Sequence, residues 1–285
     1  MRMRHFLSLS CVVVPFFAAF SQSQPAPIKV HALHISEPIE LDGLLSESAW
    51  QGPGFSDFKQ RDPNQGEPTT ERTEVWVAYD DAALYVAARL YDSSPDSIMR
   101  ILGRRAAFLT TDEFMFFVDP YYDRRSGYYF ALSAGGTMTD GTMYNDDWDD
   151  NSWDGVWEGK ANVDEKGWTV EMRIPFSQLR FHGKDEYIWG VNFKRTIGRK
   201  NELDYLVYTP RNESGFVSRF GDLTGIAGIG TARQIEVLPY MNTRAEYTQH
   251  PPGDPFNKGS RYFPGLGADM KIGLTSNLTL DATVN

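Results

Sequence analysis

"TEVWVAYDDAALYVAARLYD", residues 73–92, contains two runs of alternating apolar residues on either side of a pair of aspartates. Val75 and Val77 alternate with Trp76 in the first run, and the second run resumes within three residues of the aspartates. Alternation with a period of two is typical of half-buried strands, and a short polar break between two such runs indicates a tight turn. The stretch therefore predicts a β-hairpin.

The same pattern extends from this hairpin toward the C-terminus. "EFMFFVD", "GYYFALSA", "GWTVEMRIPF" and "YIWGVNFKRTI" each have the composition of a strand, and polar turns separate them. Helical periodicity is scarce over the same region. Many short strands at even spacing predict an all-β fold, and we expect an antiparallel β-sandwich of jelly-roll type over residues 28–229.

The pattern changes near residue 230, after the glycine-rich stretch "GDLTGIAGIGTAR". Residues 266–275 and 278–285 each alternate strictly between apolar and polar positions, around a predicted turn at Ser276-Asn277. This is the pattern of outer-membrane barrel strands, although an ordinary half-exposed sheet also has it. We predict that residues 230–285 begin an incomplete C-terminal β-barrel. Two or three strands cannot close a barrel, so we expect the chain to be the front part of a longer protein.

The N-terminus has the features of a secretory signal. Arg2 and Arg4 precede an apolar run from Phe6 to Phe20, and Ala19 and Ser21 suit cleavage ahead of residue 22. We therefore predict a signal peptide over residues 1–21 and an exported protein. The chain's single cysteine lies inside that segment, so the mature protein would have no disulfide. Cleavage removes two positive charges and takes the formal net charge from −10 to −12, which argues against nucleic acid as a partner.

Residues 144–159, "YNDDWDDNSWDGVWEG", concentrate acidic residues and tryptophans. An EF-hand register beginning at Asp150 fails, because its twelfth position is Ala161 instead of glutamate. Calcium also accepts oxygen ligands from irregular loops, so a structural Ca²⁺ held by Asp140, Asp146 and Asp149 stays open. The alternative is a solvated acidic loop without a metal.

The same run has the two ingredients of a sugar-binding surface. An indole ring covers the apolar face of a pyranose, while carboxylates and amides bond to the hydroxyls around its rim. The hypothesis assigns stacking to Trp148 and Trp153, and hydroxyl recognition to Asp147, Asn151 and Asp154. Packing against the core is the alternative for Trp153, and Trp157 is expected to be a core residue.

Catalysis has less specific support in the sequence. A glycosidase needs two carboxylates several ångströms apart, and Asp112, Glu113, Asp154 and Glu158 are all candidates. No serine-hydrolase, zinc-protease or phosphate-loop motif is present in the sequence. We therefore expect a non-catalytic protein, with a hydrolase acting on O-glycosyl bonds as an alternative.

Several stretches together resemble family 9 carbohydrate-binding modules. They are "ISEPIELDGLLSESAW" at residues 35–50, followed in the family's order by the hairpin above, "DEFMFFVDP", "WEGKANVDEKGWTVEMRIPFSQL" and "WGVNFKR". The resemblance covers roughly residues 28 to 225. It implies a β-sandwich that binds oligosaccharides or polysaccharides by aromatic stacking, in some members with structural calcium. Such modules clamp a sugar between two tryptophans; Trp148 or Trp153 falls in the matching loop, and Trp76 is a candidate partner.

The chain is more similar still to a bacterial subgroup in which this module precedes an outer-membrane β-barrel domain of unknown function. The junction of that subgroup resembles "SNLTLDATVN", residues 276–285. The resemblance implies polysaccharide capture or catabolism at the outer membrane, cell surface or periplasm of a Gram-negative bacterium. A first alternative is a structural or gating module of an outer-membrane transporter or assembly barrel. A second is a glycoside hydrolase.

Overall fold

The structure is a computed structural model that describes residues 27–107, 109–230, 235–249, 259–273 and 279–285, together with Gly253 and Pro255. The predicted signal segment, residues 1–21, and the predicted turn at Ser276-Asn277 lie outside the described residues. Within that part of the chain, no helix has the length and hydropathy needed to cross a membrane.

Strands dominate the described residues, which contain no α-helix, and the predicted all-β class is confirmed. Five short 3₁₀ helices occupy Ser48–Trp50, Pro95–Ser97, Phe176–Gln178, Gly198–Lys200 and Val217–Arg219. The strands, numbered in chain order, are β1 (Lys29–His34), β2 (Lys59–Asp62), β3 (Thr73–Tyr79), β4 (Ala83–Tyr91), β5 (Glu113–Asp119), β6 (Gly127–Ser133), β7 (Met138–Tyr144), β8 (Trp148–Asp150), β9 (Glu158–Asp164), β10 (Gly167–Pro175), β11 (Glu186–Ile197), β12 (Glu202–Tyr205), β13 (Gly221–Ala227), β14 (Ile235–Tyr247), β15 (Ser260–Gly273) and β16 (Thr279–Val284).

Two sheets form the sandwich. The front sheet has the order β8-β7-β6-β5-β11-β13, and β12 with β2 extends it beside the other half of β11. The back sheet has the order β3-β4-β10-β9. Strand β1 connects the two, because Lys29 to His31 pair with β13 and Ala32 to His34 pair with β3. Both pairings of β1 are parallel, whereas the other strand pairings of the sandwich are antiparallel, as predicted.

The core lies between these sheets and follows the alternation in the sequence. Phe114 and Phe116 of β5 belong to the same hydrophobic cluster as Val170 and Met172 of β10, and all four are fully buried. Trp157 also belongs to this core, with 5% of its surface exposed, as expected from the sequence. The intervening residues of each strand therefore face away from the core, where they build surface features.

Glu171, on the outer face of β10, binds two residues of the 35–50 motif, Gly43 of its "DG" and Trp50 at its end. Its carboxylate accepts hydrogen bonds from the amide of Gly43 at 2.7 Å and from the indole nitrogen of Trp50 at 3.0 Å. Gly43 has a φ of +83°, and a Cβ there would lie 3.1 Å from the Cβ of Asn162. These residues fasten the loop over the back sheet, so their role is structural.

The remaining strands form a separate antiparallel sheet in the order β14-β15-β16. Strand β14 was not predicted; it pairs with β15 along its full length, from Ile235 opposite Ile272 to Tyr247 opposite Ser260. Strand β16 pairs with the other edge of β15, from Ala268 opposite Val284 to Gly273 opposite Thr279.

Candidate functional site: a groove on the front sheet

A groove of about 590 Å³ lies on the outer face of the front sheet. Its floor is apolar because Met115 and Phe117 of β5 alternate with the core residues and point outward. Phe216, from the segment before the last 3₁₀ helix of the sandwich, meets Phe117 edge-on with ring centroids 5.0 Å apart. The front sheet therefore carries apolar side chains on both faces, one for the core and one for this groove.

Tyr129 of β6 lines the groove and lies against Gly141 of β7. A Cβ on Gly141 would lie 2.5 Å from the tyrosine ring and its hydroxyl, so only glycine leaves room for the ring in this position. Burial raises the pKa of Tyr129, and the nearby carboxylates of Asp149 and Asp140 raise it further. The phenol is therefore neutral and can both donate and accept a hydrogen bond at neutral pH.

Trp148 stands at the rim of the groove because of the turn between β7 and β8. Asn145 and Asp146 have positive φ angles of 51° and 74°, a backbone conformation that Asn and Asp adopt more readily than most residues. The turn pairs Tyr144 with Trp148, and their rings meet edge-on at 5.9 Å. Trp148 is 63% exposed and lines the groove, so a face of its indole is open to solvent.

Asp146 ties this turn to the opposite wall of the groove. Its carboxylate accepts the backbone amides of Phe216 at 3.0 Å and Ser218 at 2.7 Å, and the Ser218 hydroxyl at 2.8 Å. Burial alone would raise the pKa of Asp146, but the hydrogen bonds from Ser218 and Phe216 outweigh it and lower the pKa. The ionised carboxylate therefore fixes the spacing between the walls that carry Trp148 and Phe216.

Charged side chains surround the apolar floor. Glu113 of β5 and Lys194 of β11 form an ion pair at 3.5 Å, and Glu213 pairs with Arg219 at 2.7 Å. The groove is also lined by Arg61 of β2 and by Asp147 and Asp149, the two neighbours of Trp148. An aromatic surface with polar groups around it can hold a ring-shaped ligand that is apolar on its face and polar at its edge.

Comparison with known proteins relates the sandwich to solved structures. No family model and no curated protein matches the chain. A family 9 carbohydrate-binding module from Caldicellulosiruptor kristjanssonii, in complex with cellotriose, superposes with a TM-score of 0.50 at 18% identity, covering 72% of this chain and 97% of that one. The sandwich has the fold of a family 9 carbohydrate-binding module. A candidate carbohydrate-binding protein from Bacteroides uniformis has the same fold, with a TM-score of 0.55, 13% identity and coverage of 70% of this chain and 100% of that one.

This family 9 fold places the two predicted stacking tryptophans in different environments. Trp148 lies open at the groove, as described above. Trp153 instead packs against the core, with its ring 5.2 Å from Tyr128 and 6.0 Å from Phe130. This contact agrees with the alternative of packing against the core, and sugar stacking by Trp153 stays a prediction.

Of the remaining predicted ligand-binding residues, some line the groove and others do not. Asp147 and Asp149 line the groove beside Trp148. Asn151 is exposed in the turn after β8, and Asp154 pairs with Arg105 at 3.1 Å; neither lines the groove. Trp76 belongs to β3 of the back sheet, does not line the groove, and donates its indole N–H to the carbonyl of Gly52 at 2.8 Å. Its role as a clamp partner stays a prediction.

The three carboxylates predicted to bind calcium have separate roles. Asp140 is 1% exposed and accepts bonds from Arg105 at 3.0 Å and from the amide of Gly155 at 2.5 Å. Asp146 holds Ser218, and Asp149 lines the groove. Among the described residues there is no cluster of three or more His, Cys, Asp or Glu side chains arranged for a metal. Calcium binding stays a prediction, which a change of melting temperature on adding Ca²⁺ or a chelator would test.

Sequence reasoning missed the floor of the groove. Its key residues are Met115, Phe117, Tyr129, Met143 and Phe216. A usable signal was present in "EFMFFVD", where Met115 and Phe117 alternate with apolar residues. A strand with apolar residues on both faces buries one face in the core. Its other face indicates a second apolar surface, which here is the floor of the groove.

Proposed function

We propose that the sandwich binds a carbohydrate in the front-sheet groove, with Trp148 stacking on one sugar ring. The observation that carries this proposal is the open indole of Trp148 beside an aromatic floor and a rim of carboxylates. A solvated tryptophan exposes apolar area at a free-energy cost, which a ligand with an apolar face would offset. The fold supports the proposal, since the Caldicellulosiruptor module that shares it holds cellotriose.

Isothermal titration of the full chain with a panel of soluble glycans, both neutral and charged, tests this proposal. We expect at least one oligosaccharide to bind, and we expect Trp148→Ala to weaken its binding by about tenfold or more, about 1.4 kcal/mol. The matched control is Leu44→Ala, because Leu44 is also exposed (60%) but lies in the loop over the back sheet. Absence of binding across the panel, or equal effects of the two variants, would contradict the proposal.

A second candidate function is supported by the three-stranded sheet. Its register puts a continuous set of apolar residues on one face: Ile235, Val237, Pro239 and Met241 of β14, Leu266, Ala268, Met270 and Ile272 of β15, and Leu280, Ala282 and Val284 of β16. Met241 is 81% exposed and Leu266 is 74% exposed, so the described residues leave this face uncovered. The opposite face is mixed: it carries Asp269, bonded to Thr283 at 2.8 Å, and also Leu238, which is paired with Asp269.

We propose on this basis that residues 235–285 belong to an outer-membrane barrel of an exported bacterial protein, which the sandwich serves as a binding, gating or structural module. In such barrels apolar residues face the lipid and alternate along each strand with residues that face the polar interior, and the alternation in these three strands is of this kind. Fluorescence of a dye placed on Cys introduced at Met241 would report burial in lipid, with Asn242→Cys on the opposite face as control. Equal quenching of both positions by lipid-soluble quenchers would contradict the proposal.

A further inference from the structure

The charges of the groove are unevenly distributed across the front sheet. Glu113 and Lys194 neutralise each other on adjacent strands, and Glu213 has Arg219. Asp147 and Asp149 flank Trp148, both are exposed, and neither forms an ion pair within the part of the chain that the structure describes. The Trp148 end of the groove therefore carries two uncompensated negative charges.

Tyr129 shows that this negative field reaches the floor. After burial, the causes that raise the pKa of its hydroxyl are all carboxylates: Asp149, Asp140, Asp150 and Glu113. The groove's cation Arg61 lies on β2, which with β12 forms the other edge of the front sheet from β8. A ligand that covers Trp148 thus enters the most negative part of the groove.

Covering the two carboxylates with a neutral ligand would remove water from them without supplying a counter-charge, which is unfavourable. A uronic acid or sulfated sugar would add repulsion. A sugar that carries an ammonium group would compensate both charges, and its cation would also be attracted to the indole face. The hydroxyls of a neutral sugar can also donate hydrogen bonds to these carboxylates. A neutral and a cationic sugar therefore differ here in charge and not in the ability to form hydrogen bonds.

We propose that the groove prefers glycans with free amino groups, such as glucosamine oligomers, and that Asp147 and Asp149 determine this preference. The inference rests on the proposed carbohydrate binding and names its ligand class. Both carboxylates are at the surface, where ion pairs are worth up to about 1 kcal/mol each and are screened by salt. We therefore expect a preference of about tenfold for the cationic glycan over a neutral one at low ionic strength.

Three β-1,4-linked trisaccharides that differ only at C2 test the inference by isothermal titration with the full chain. They are the glucosamine trimer, the N-acetylglucosamine trimer and cellotriose, with trilysine as a cation without sugar rings. Measurements at about pH 6 keep the sugar amines protonated. We expect the glucosamine trimer to bind about ten times more tightly than cellotriose and the difference to shrink in high salt.

The variant Asp147→Asn plus Asp149→Asn should remove the preference, so that the glucosamine trimer binds no more tightly than cellotriose, because asparagine still bonds to hydroxyls but carries no charge. The matched control is Asp150→Asn, since Asp150 follows Asp149 on β8 and is exposed but does not line the groove; its carboxylate accepts the amide of Ser152 at 2.9 Å. The control should keep the preference.

The outcomes separate this inference from the proposed function. Equal affinity for the three trisaccharides, or a preference that survives in the double variant, overturns the inference and leaves carbohydrate binding intact. Binding of trilysine as tight as that of the glucosamine trimer also overturns it, because the charge alone would then suffice. If no glycan of any kind binds, the proposed function fails and the inference fails with it.

Discussion

The carboxylate of Asp146 and the residue Ser218 hold the two walls of the groove together, with bonds of 2.7 Å to the backbone amide and 2.8 Å to the hydroxyl. Asp146 precedes Trp148 by two positions, and Ser218 follows Phe216 by two. One side chain therefore sets the distance between the open indole and the aromatic floor. Its loss should affect both stability and ligand binding.

We predict that Asp146→Ala lowers the free energy of unfolding by about 1–2 kcal/mol at neutral pH, allowing for solvent screening at this half-buried site. The lowered pKa of Asp146 makes this contribution present above the unfolded pKa of about 4 and lost as pH falls further. Urea unfolding at about pH 7 and about pH 3 would measure the difference. Asp150→Ala is the control, and a variant whose deficit persists at the acid pH would contradict the argument.

Truncation of Trp153 should destabilise the protein far more than truncation of Trp148. Trp153 packs on Tyr128 and Phe130, so Trp153→Ala should lower the free energy of unfolding by about 2–4 kcal/mol. Trp148→Ala should change it by less than about 0.5 kcal/mol, because the side chain is exposed. Thermal unfolding of the two variants tests this pair. Similar losses of stability would place both rings in the core and remove the basis of the groove.

These two tryptophans show that the local sequence does not predict which of them is exposed and which packs against the core. Both lie among acidic residues, and local pattern gives them the same appearance. What separates them is tertiary: the β7–β8 turn holds Trp148 outward, whereas the segment after β8 returns over Tyr128. The alternation that predicts strand faces contains no information about such a return.

The fold was easier to predict from the sequence than the candidate site. Alternation in residues 168–174 and 114–118 places the core side chains correctly, because burial of every second residue leaves a direct trace in the sequence. The groove is assembled from Tyr129, Trp148 and Phe216, which are far apart in the chain. Among the described residues the candidate calcium ligands Asp140, Asp146 and Asp149 form no metal cluster, and Asp140 instead pairs with Arg105, a contact between distant parts of the chain that local pattern does not reveal.

Glu171 should matter for stability and not for the groove. Glu171→Ala leaves the buried amide of Gly43 and the indole N–H of Trp50 without their acceptor, at a cost of about 2–4 kcal/mol in unfolding free energy. Glycan affinity should stay within about twofold of the unaltered chain, because the loop covers the back sheet. The control is Glu158→Ala, whose exposed ion pair with Arg173 at 3.3 Å should contribute less than about 0.5 kcal/mol. A loss of affinity with unchanged stability would show that the loop has a binding role.

Asp204 of β12 is fully buried, and neither of its carboxylate oxygens has a hydrogen-bond partner within the described residues. Burial, with the negative charge of Glu202, raises the pKa of Asp204 to about 8, against the opposing effect of Arg195. Two ionised carboxylates repel each other, so the negative charge of Glu202 favours the protonated form of Asp204.

At Asp204 the folded protein therefore keeps a proton that the unfolded chain has lost, between the unfolded pKa of about 4 and the folded value of about 8. Stability should fall as pH rises through this window, by roughly 2–4 kcal/mol between about pH 5 and about pH 8, and then level off. Asp204→Asn has no proton to lose, so it should reduce the slope between about pH 6 and about pH 8, above the raised pKa values of about 6 of Asp119 and Glu171. It should exceed the unaltered chain in stability at about pH 8. Urea unfolding across this range tests the prediction, with the exposed Asp57→Asn as control. A slope that is unchanged in Asp204→Asn would assign the extra proton to another group.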